Sequence, residues 1–280
     1  MLLTMRSGKP TLVIEPNRGL FHLDSRALWE YRELLYSLVL RDIKVRYKQT
    51  AIGVSWVVLQ PLIAMLIFTV LFSYLAKIPS DGVWYPVFVY TALLPWTYFT
   101  QAIARSGGSL VSNSNMISKV YFPRLILPLA SILGPLVDFA LSLGILLGMI
   151  LWAGIPLTWK VLTLPFFLLL AFMTALGVSL FISATNVRYR DVGHTIPFLM
   201  QIWMFTSPVV YPVSLIPEQW RFLYSLNPMV GVIEGFRWGL LGKASPDFAV
   251  IAASGVVVLA VLFGGTVYFK HMERTFADVI

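Results

Sequence analysis

Residues 49–76 read QTAIGVSWVVLQPLIAMLIFTVLFSYLA and hold no charged side chain between Lys48 and Lys77. A helix of about 20 apolar residues crosses the hydrocarbon core of a bilayer. A charged side chain at the bilayer centre costs about 3 kcal/mol on insertion scales. The interval is long enough for one transmembrane helix and too short for two, so it predicts a single span.

Five similar intervals follow along the chain, each bounded by charged residues. Asp138 is the one charged residue that falls inside any of them. The pattern predicts an all-α polytopic membrane protein with six transmembrane helices in a domain over 49–270. The predicted spans are 49–76, 83–104, 125–153, 161–186, 195–215 and 248–269.

The composition excludes a soluble domain. Hydrophobic residues make up 58% of the 280 residues and charged residues only 12%, against roughly 25% charged residues in soluble domains. The chain has no cysteine, which excludes disulfides, thiolate catalysis and cysteine-ligated zinc. The histidines at 22, 194 and 271 are too scattered to predict a metal site, so we expect none.

Positive charge is unevenly distributed between alternate loops. Most of the 21 Lys and Arg residues fall in four segments, which are 1–50, 105–124, 187–194 and 270–280. By the positive-inside rule, both termini are predicted to be cytoplasmic, including the tail at 271–280. This asymmetry explains the net charge of +8 without a nucleic acid partner. Arg6, Lys9 and Pro10 interrupt the first apolar run, so we expect no cleavable signal peptide.

Residues 25–48 have the pattern of an amphipathic interface helix, and they follow an N-terminal extension at 1–24. One apolar stripe is predicted on this helix, formed by Leu28, Tyr31, Leu35, Leu38 and Val45. Such a helix lies at the membrane surface. It is either a topology anchor or a lever that contacts a cytoplasmic partner or an anionic lipid-linked substrate. Arg46 points away from the basic face of the helix and is interpreted as a topology charge.

Two cytoplasmic loops are candidates for contact with another protein. The loop at 105–124 runs from flexible Gly and Ser residues into a short amphipathic patch, and the alternative is a solvated loop. The second segment, NVRYRDVGH at 186–194, is a compact basic turn whose arginines are alternatively topology charges.

The external segment 216–246 is too long for a hairpin turn. It contains two short apolar runs broken at Asn227-Pro228, which predicts re-entrant half-helices. Their aromatic residues form either an ordinary interfacial belt or a gate over an exit path. Asp138 lies near mid-membrane, where an acid is a functional candidate. The structural alternative is a hydrogen bond to Ser131 or Ser142.

A phosphate-binding loop of the Walker type is absent, because Gly8-Lys9 is followed by Pro10 and Gly242-Lys243 by Ala244. The predicted spans also lack the acids and bases of a proton relay. The energy for any transport against a gradient is therefore expected to come from another polypeptide.

Five motifs resemble those of one family in order and spacing. They are LRDIKVRYKQTAIGVSWVVLQPL (40–62), KVYFPRLILPL (119–129), NVRYRD (186–191), SPVVYP (207–212) and NPMVGVIEGFR (227–237). From about residue 25 onward, the chain resembles the membrane subunit of ATP-binding-cassette exporters of lipid-linked polysaccharides, such as O-antigen and teichoic acid exporter permeases.

The resemblance implies a bacterial inner-membrane homodimer with two copies of a separate ATPase subunit, which would hold ATP and Mg. The chain itself would be no enzyme and would carry no cofactor. The substrate would be a glycan on undecaprenyl pyrophosphate or a similar lipid phosphate. The interface helix and the loop at 112–124 would correspond to the coupling elements, and the external half-helices would form the gate.

Three sets of candidate site residues follow. A pyrophosphate needs cations at the inner interface, and a sugar polymer slides along aromatic faces; the substrate candidates are Arg41, Lys44, Lys48, Trp56, Tyr98, Trp203, Phe205 and Tyr211. The gate candidates are Trp220, Phe222, Tyr224, Glu234, Phe236, Arg237 and Trp238. The candidates for ATPase coupling are Asn115, Met116, Ile117, Lys119, Tyr121, Arg188, Arg190 and Asp191.

Other functions remain open from the residues alone. A drug or small-lipid exporter permease would share the architecture but has less need of aromatic residues and of the basic residues at 41–48. A channel or secondary carrier would not need a docking loop. A membrane-embedded glycan enzyme would require an external acid or base cluster, and only Glu218 and Glu234 are available.

Overall fold

The computed structural model describes residues 3–6, 9–12, 25–48, 53–242 and 248–276. Two short antiparallel strands, β1 (Leu3–Arg6) and β2 (Lys9–Leu12), pair in the N-terminal extension, with Arg6 opposite Lys9. The all-α prediction did not include this hairpin. The other described elements are helices, so the helical class holds for the rest of the described chain.

The helices run in chain order from the interface segment to the tail. The α-helices of the described residues are α1 (Ser25–Glu30), α2 (Arg32–Lys48), α3 (Gly53–Phe68), α4 (Tyr85–Gly107), α5 (Ser109–Ser112), α6 (Ser114–Lys119), α7 (Ile126–Leu133), α8 (Pro135–Trp152), α9 (Leu164–Arg188), α10 (Val192–Phe205), α11 (Glu218–Ser225), α12 (Pro228–Leu241) and α13 (Phe248–Glu273). A π-helix over Thr69–Leu75 continues α3, and 3-10 turns occupy Trp159–Thr163 and Val213–Leu215.

Within the described residues, four helical stretches are long and apolar enough to cross a membrane. They are Ser55–Leu75, Ile126–Trp152, Trp159–Arg188 and Phe248–Glu273. They fall in the first, third, fourth and sixth predicted intervals. The chain is therefore an integral membrane protein, and its described residues are helical apart from the N-terminal hairpin.

Helices α4 and α10 occupy the second and fifth intervals but are less typical of spans. Helix α4 has 23 residues, and its Tyr, Thr, Pro and Gln side chains lower its hydropathy. Helix α10 has 14 residues and ends at Phe205, whereas the predicted fifth span extends to residue 215. Pro208 and Pro212 follow, and neither can donate the backbone hydrogen bond that would continue the helix.

Helix α4 forms the centre of the bundle. Its residues from Tyr85 to Trp96 are buried on every side, and it packs against α3, α7, α8, α9 and α12. A helix surrounded by other helices does not need an apolar outer surface, which explains why α4 tolerates polar side chains. Two of its threonines are satisfied within the helix: Thr91 Oγ1 donates to the Val87 carbonyl at 2.7 Å, and Thr100 Oγ1 donates to the Trp96 carbonyl at 3.1 Å.

Helices α9 and α13 pack closely through two glycines. A Cβ added to Gly265 would lie 2.2 Å from the Gly177 carbonyl oxygen, and a Cβ added to Gly177 would lie 2.8 Å from the backbone of Leu262. Small residues at such a crossing let two membrane helices approach each other closely. The pair therefore fixes the position of the last helix against the core.

Replacing Gly265 by Val is expected to push α13 away from α9. Overpacking of this kind costs about 1–3 kcal/mol, so the apparent Tm of the purified protein should fall by about 5 °C or more. Thermal unfolding followed by size-exclusion chromatography measures the shift. Gly264→Val is the matched control, because a Cβ at the adjacent Gly264 meets nothing within 4 Å. Equal losses in both variants would show that helix propensity, not the crossing, determines the effect.

One end of the bundle is formed by α1, α2, residues 105–124 and residues 186–194. We call it the basic end. A second apolar core lies here, beside the main one. Its buried members come from α2, the 105–124 loop, α7, α9, α13 and the tail, and include Leu38, Leu110, Phe122, Phe269 and Phe276. The opposite end is formed by residues 76–84, 153–163 and 206–242.

Candidate functional site

The interface segment is two helices rather than one, since α1 and α2 are separated by a turn at Tyr31. The predicted apolar stripe faces the bundle at Leu28, Tyr31, Leu35 and Leu38, which pack in the second core. Val45 was predicted in the same stripe but is 60% exposed. Near its last turn, α2 contacts the bundle through polar side chains instead.

The interface segment is hydrogen-bonded to the loop at 105–124 at two places, one in the turn before α2 and one on α2. Tyr31 Oη donates to the Tyr121 carbonyl at 3.3 Å, and Arg41 Nη1 donates to Asn113 Oδ1 at 3.2 Å. Arg41 also pairs with Asp42 at 3.0 Å. The interface segment and the loop therefore form one connected layer at the basic end.

The predicted phosphate-binding residues lie on the outer surface of this layer. Arg41, Lys44 and Lys48 are all exposed, and part of the Arg41 guanidinium is engaged by Asp42 and Asn113. An exposed cationic row on one helix is accessible to an anionic headgroup. Whether it binds one remains a prediction.

A polar cluster around the buried Asp138 lies where the last turn of α2 meets α4 and α8, and the sequence analysis did not predict it. Arg46 and Tyr47 donate to the two carboxylate oxygens of Asp138, and Arg105 Nη2 lies 4.0 Å from the Asp138 Oδ2. Arg46 also donates to Gln101 Oε1 at 3.4 Å. We call these five residues the Asp138 cluster.

The interpretation of Arg46 as a topology charge is incomplete, because its guanidinium is paired inside the protein. Asp138 takes this partner rather than the expected serines; Ser131 Oγ donates to its own helix at the Leu127 carbonyl. Burial raises the pKa of the Tyr47 hydroxyl, and hydrogen bonding to Asp138 raises it further, so Tyr47 stays a neutral donor. One sequence signal could have predicted this contact: an acid buried in a membrane span needs a cation as its partner.

A narrow cleft between α3, α4 and α8 extends from the Asp138 cluster. Asp138, Gln101, Ser142 and Tyr98 all contribute to its wall. Tyr98 is 2% exposed, and its hydroxyl has no hydrogen-bond partner among the described residues. Of the predicted substrate aromatics, Tyr98 is thus enclosed within the chain itself.

The other predicted substrate aromatics do not share one surface with Tyr98. Trp56 and Phe205 are 54% and 49% exposed. Trp203 packs edge-on against Phe99 at 5.1 Å, and its Nε1 donates to Asn227 Oδ1 at 2.9 Å. The Tyr211 hydroxyl lies 2.9 Å from that of Tyr224. Trp56 and Phe205 are therefore the members that face outward.

The predicted gate divides into a buried helix and an exposed helix. In α12, Phe236 is fully buried and Arg237 is 6% exposed, while Glu234 and Trp238 are half-buried. In α11, Trp220 and Phe222 are 55% and 73% exposed, and Tyr224 is half-buried.

Arg237 fastens α12 to the bundle. Its guanidinium carbon lies 3.7 Å from the centre of the Phe88 ring, and the group donates to Glu234 at 3.2 Å and to the Val209 carbonyl at 3.1 Å. Asn227 joins the two half-helices to the end of α10, because its Oδ1 accepts from Met229 N and Trp203 Nε1. Any movement at this end is therefore expected in α11 before α12.

The predicted coupling residues separate by exposure. Asn115, Lys119 and Tyr121 are exposed, whereas Met116 and Ile117 are half-buried and pack in the second core. Arg188, Arg190 and Asp191 are exposed on the turn after α9. Asn186 ties this turn to the end of α4, because Asn186 Nδ2 donates to the Gly107 carbonyl at 2.9 Å.

Most of the chain is also similar in amino-acid sequence to known proteins. Residues 33–241 match the ABC-2 type transporter family. An O-antigen export system permease protein RfbA of Myxococcus xanthus is 30% identical over 259 residues, covering 91% of this chain and 98% of that protein. A Klebsiella pneumoniae RfbA is 25% identical over 251 residues, covering 89% and 95%. The polysialic acid transport protein KpsM of Escherichia coli is 24% identical over 252 residues, covering 85% and 93%. The chain belongs to the ABC-2 type transporter family.

Proposed function

We propose that this chain is the permease subunit of an ATP-binding-cassette exporter that moves a lipid-linked polysaccharide across the bacterial inner membrane. The observation that carries the proposal is the 30% identity to an O-antigen export permease over 91% of this chain. Relatives named for polysialic acid transport and capsule export support the same substrate class. The substrate we propose is an O-antigen or similar glycan on undecaprenyl pyrophosphate.

In this proposal the chain has six spans. The two that join the four long apolar stretches are α4, and α10 together with residues 206–215 that follow it, since α10 alone has only 14 residues. The basic end faces the cytoplasm, as the positive-inside rule favours, and both termini lie on that side. Helices α11 and α12 enter the opposite side as re-entrant half-helices. Neither is long enough to span, because α11 has 8 residues and α12 has 14.

We propose that two copies of the chain form the transport path between them. The outward faces of α3 and α10 support this, since apolar side chains on both are exposed in the single chain; they include Leu66, Ile67, Val70, Phe198, Leu199 and Ile202. Trp56 and Phe205 lie on these same two helices. Packed against a second copy, the aromatics would line a surface over which sugar rings slide.

The driving energy would come from two copies of a separate ATPase subunit, which would bind ATP and Mg. The residues that we propose for contact are exposed at the basic end. We call them the docking surface, and they are Asn115, Lys119, Val120, Tyr121, Arg188, Tyr189, Arg190 and Asp191. Val120, Tyr121 and Tyr189 are 55%, 73% and 57% exposed, and they offer apolar contact area to a partner.

Replacing Tyr121 by Asp is expected to abolish co-purification of the ATPase while the permease still inserts. A carboxylate in an apolar contact loses its hydration without gaining a partner. The measurement is recovery of the ATPase on affinity-tagged permease. Tyr36→Asp is the control, because Tyr36 is 65% exposed on α2 and lies outside the docking surface. Full recovery of the complex with Tyr121→Asp would remove this residue from the contact.

The function is tested by deleting the chain in its host and measuring polysaccharide at the cell surface. We expect lipid-linked glycan to accumulate on the cytoplasmic side and surface polysaccharide to disappear. Restoration by the intact gene supports the assignment. Normal surface polysaccharide together with increased sensitivity to small amphiphiles would indicate a drug or small-lipid exporter instead.

A further inference from the structure

The Asp138 cluster joins the interface helix to the transmembrane bundle at a site where a carboxylate needs compensation. The Asp138 side chain is 7% exposed, and that of Arg46 is 23% exposed. Arg46 reaches one carboxylate oxygen and Tyr47 the other, so both donors come from adjacent residues of α2. The last turn of α2 is thereby fixed to α8 by a two-point attachment.

The same arginine also engages α4. Both terminal nitrogens of Arg46 lie 3.4 Å from Gln101 Oε1, and Arg105 on the next turn of α4 approaches Asp138 at 4.0 Å. One side chain of α2 thus contacts the second and third intervals at once. Since the interior has a low effective dielectric, these charge-assisted contacts are stronger than the exposed Arg41–Asp42 pair on the same helix.

Earlier positions of the interface segment contact the loop that contains part of the docking surface. Tyr31 donates to the carbonyl of Tyr121, itself a docking-surface residue, and Arg41 donates to Asn113 two residues before Asn115. A displacement of the docking surface therefore reaches α2 through backbone and side-chain hydrogen bonds. From α2, the Asp138 cluster is a polar connection to α4 and α8.

We infer that Asp138 is a positioning residue that transmits movement of the docking surface, through α2, to the helices α4 and α8. The inference rests on the proposed function, because it assigns a route for the energy of the ATPase. Asp138 contacts neither ATP nor substrate in this role. Its loss should separate ATP hydrolysis from export rather than abolish assembly.

The test compares variants of the complete permease–ATPase complex in proteoliposomes. With Asp138→Asn, we expect ATP hydrolysis within about twofold of wild type and export per ATP reduced at least tenfold. The conservative variant Asp138→Glu should keep a large part of the export, because it retains the carboxylate to which Arg46 and Tyr47 donate. Ser131→Ala and Glu33→Gln are controls near the cluster and on α2, and both should behave as wild type.

A second readout does not depend on the substrate. Because the chain has no cysteine, spin labels can be attached to the purified permease at Ser37→Cys on α2 and Leu141→Cys on α8, before the ATPase is added, with no other thiol to react. In the otherwise wild-type complex, the distance between the labels should be the same with and without ATP, since the two helices move together. In Asp138→Asn, ATP should shift or broaden that distance.

The inference is overturned if Asp138→Asn exports at the wild-type ratio of glycan to ATP, or if hydrolysis and export fall in equal proportion. It is also overturned if ATP changes the label distance equally with and without Asp138. A wild-type complex that moves no glycan would contradict the proposed function instead, and the label distances would still decide the role of Asp138.

Discussion

Arg237→Ala should destabilise the opposite end of the bundle and lower the free energy of unfolding of the permease by about 3–5 kcal/mol. The substitution leaves Glu234 in a half-buried position without its cation, and it leaves the carbonyls of Val209 and Tyr211 without a donor. It also removes the contact of the guanidinium with Phe88. Chemical denaturation of the purified permease measures the loss.

The chain provides its own control for this prediction. Arg221 and Glu218 are likewise three residues apart, but their side chains are 37% and 89% exposed and 3.9 Å apart. Exposed pairs of this kind contribute at most about 1 kcal/mol, and Arg221 Nε donates one further hydrogen bond, to the Ile216 carbonyl at 3.2 Å. Arg221→Ala should therefore be much less destabilising than Arg237→Ala. A double variant, Arg237→Met with Glu234→Leu, should recover part of the loss because no buried charge remains. Similar small effects of both arginine substitutions would contradict the anchoring role of Arg237.

Removal of the three exposed cations in the C-terminal half of α2 should reduce export by at least a hundredfold. Each charge-assisted bond to a phosphate contributes about 1.5–3 kcal/mol, whereas attraction to bulk anionic lipid contributes about 1 kcal/mol per residue. The variant is Arg41→Ala, Lys44→Ala and Lys48→Ala together. Export is measured as lipid-linked glycan transferred into proteoliposomes at limiting substrate.

Two controls separate phosphate binding from other effects of these residues. Asp42→Ala removes an acidic partner of Arg41 but keeps all three cations, so it should retain export. Lys77→Ala removes an exposed cation from the opposite end, and it should be neutral. If the triple variant exports at the wild-type rate, Arg41, Lys44 and Lys48 are topology charges only.

The helical class was predictable because the cost of burying a charge is a local property of the sequence. The charge-free stretch 49–76 holds the composite helix Ser55–Leu75 for that reason. The N-terminal hairpin was missed because strands of four residues carry little periodicity; the dipeptide Ser7-Gly8 between them was the available turn signal. The break at Phe205 depended on the prolines that follow it.

Contacts between residues that are far apart in the chain could not be predicted from the sequence. Arg46 and Asp138 are 92 residues apart, and no pattern in either segment indicates that the two side chains pair. The gate candidates illustrate the same limit. Phe222 and Phe236 are the same residue type in neighbouring helices, yet Phe222 is 73% exposed and Phe236 is fully buried. Burial of α12 is decided by its packing on α4 and α9, which a single helix sequence does not encode.

The most direct test of the proposed function is transport by the purified complex. The permease and its ATPase are reconstituted into proteoliposomes with a lipid-linked glycan on the ATPase side, and glycan that becomes accessible to a glycosidase on the other side is measured. We expect ATP-dependent appearance of glycan, abolished when the ATPase is omitted. Hydrolysis of ATP without any transfer of glycan, under conditions where the substrate is present and the complex is intact, would contradict polysaccharide export as the function of this chain.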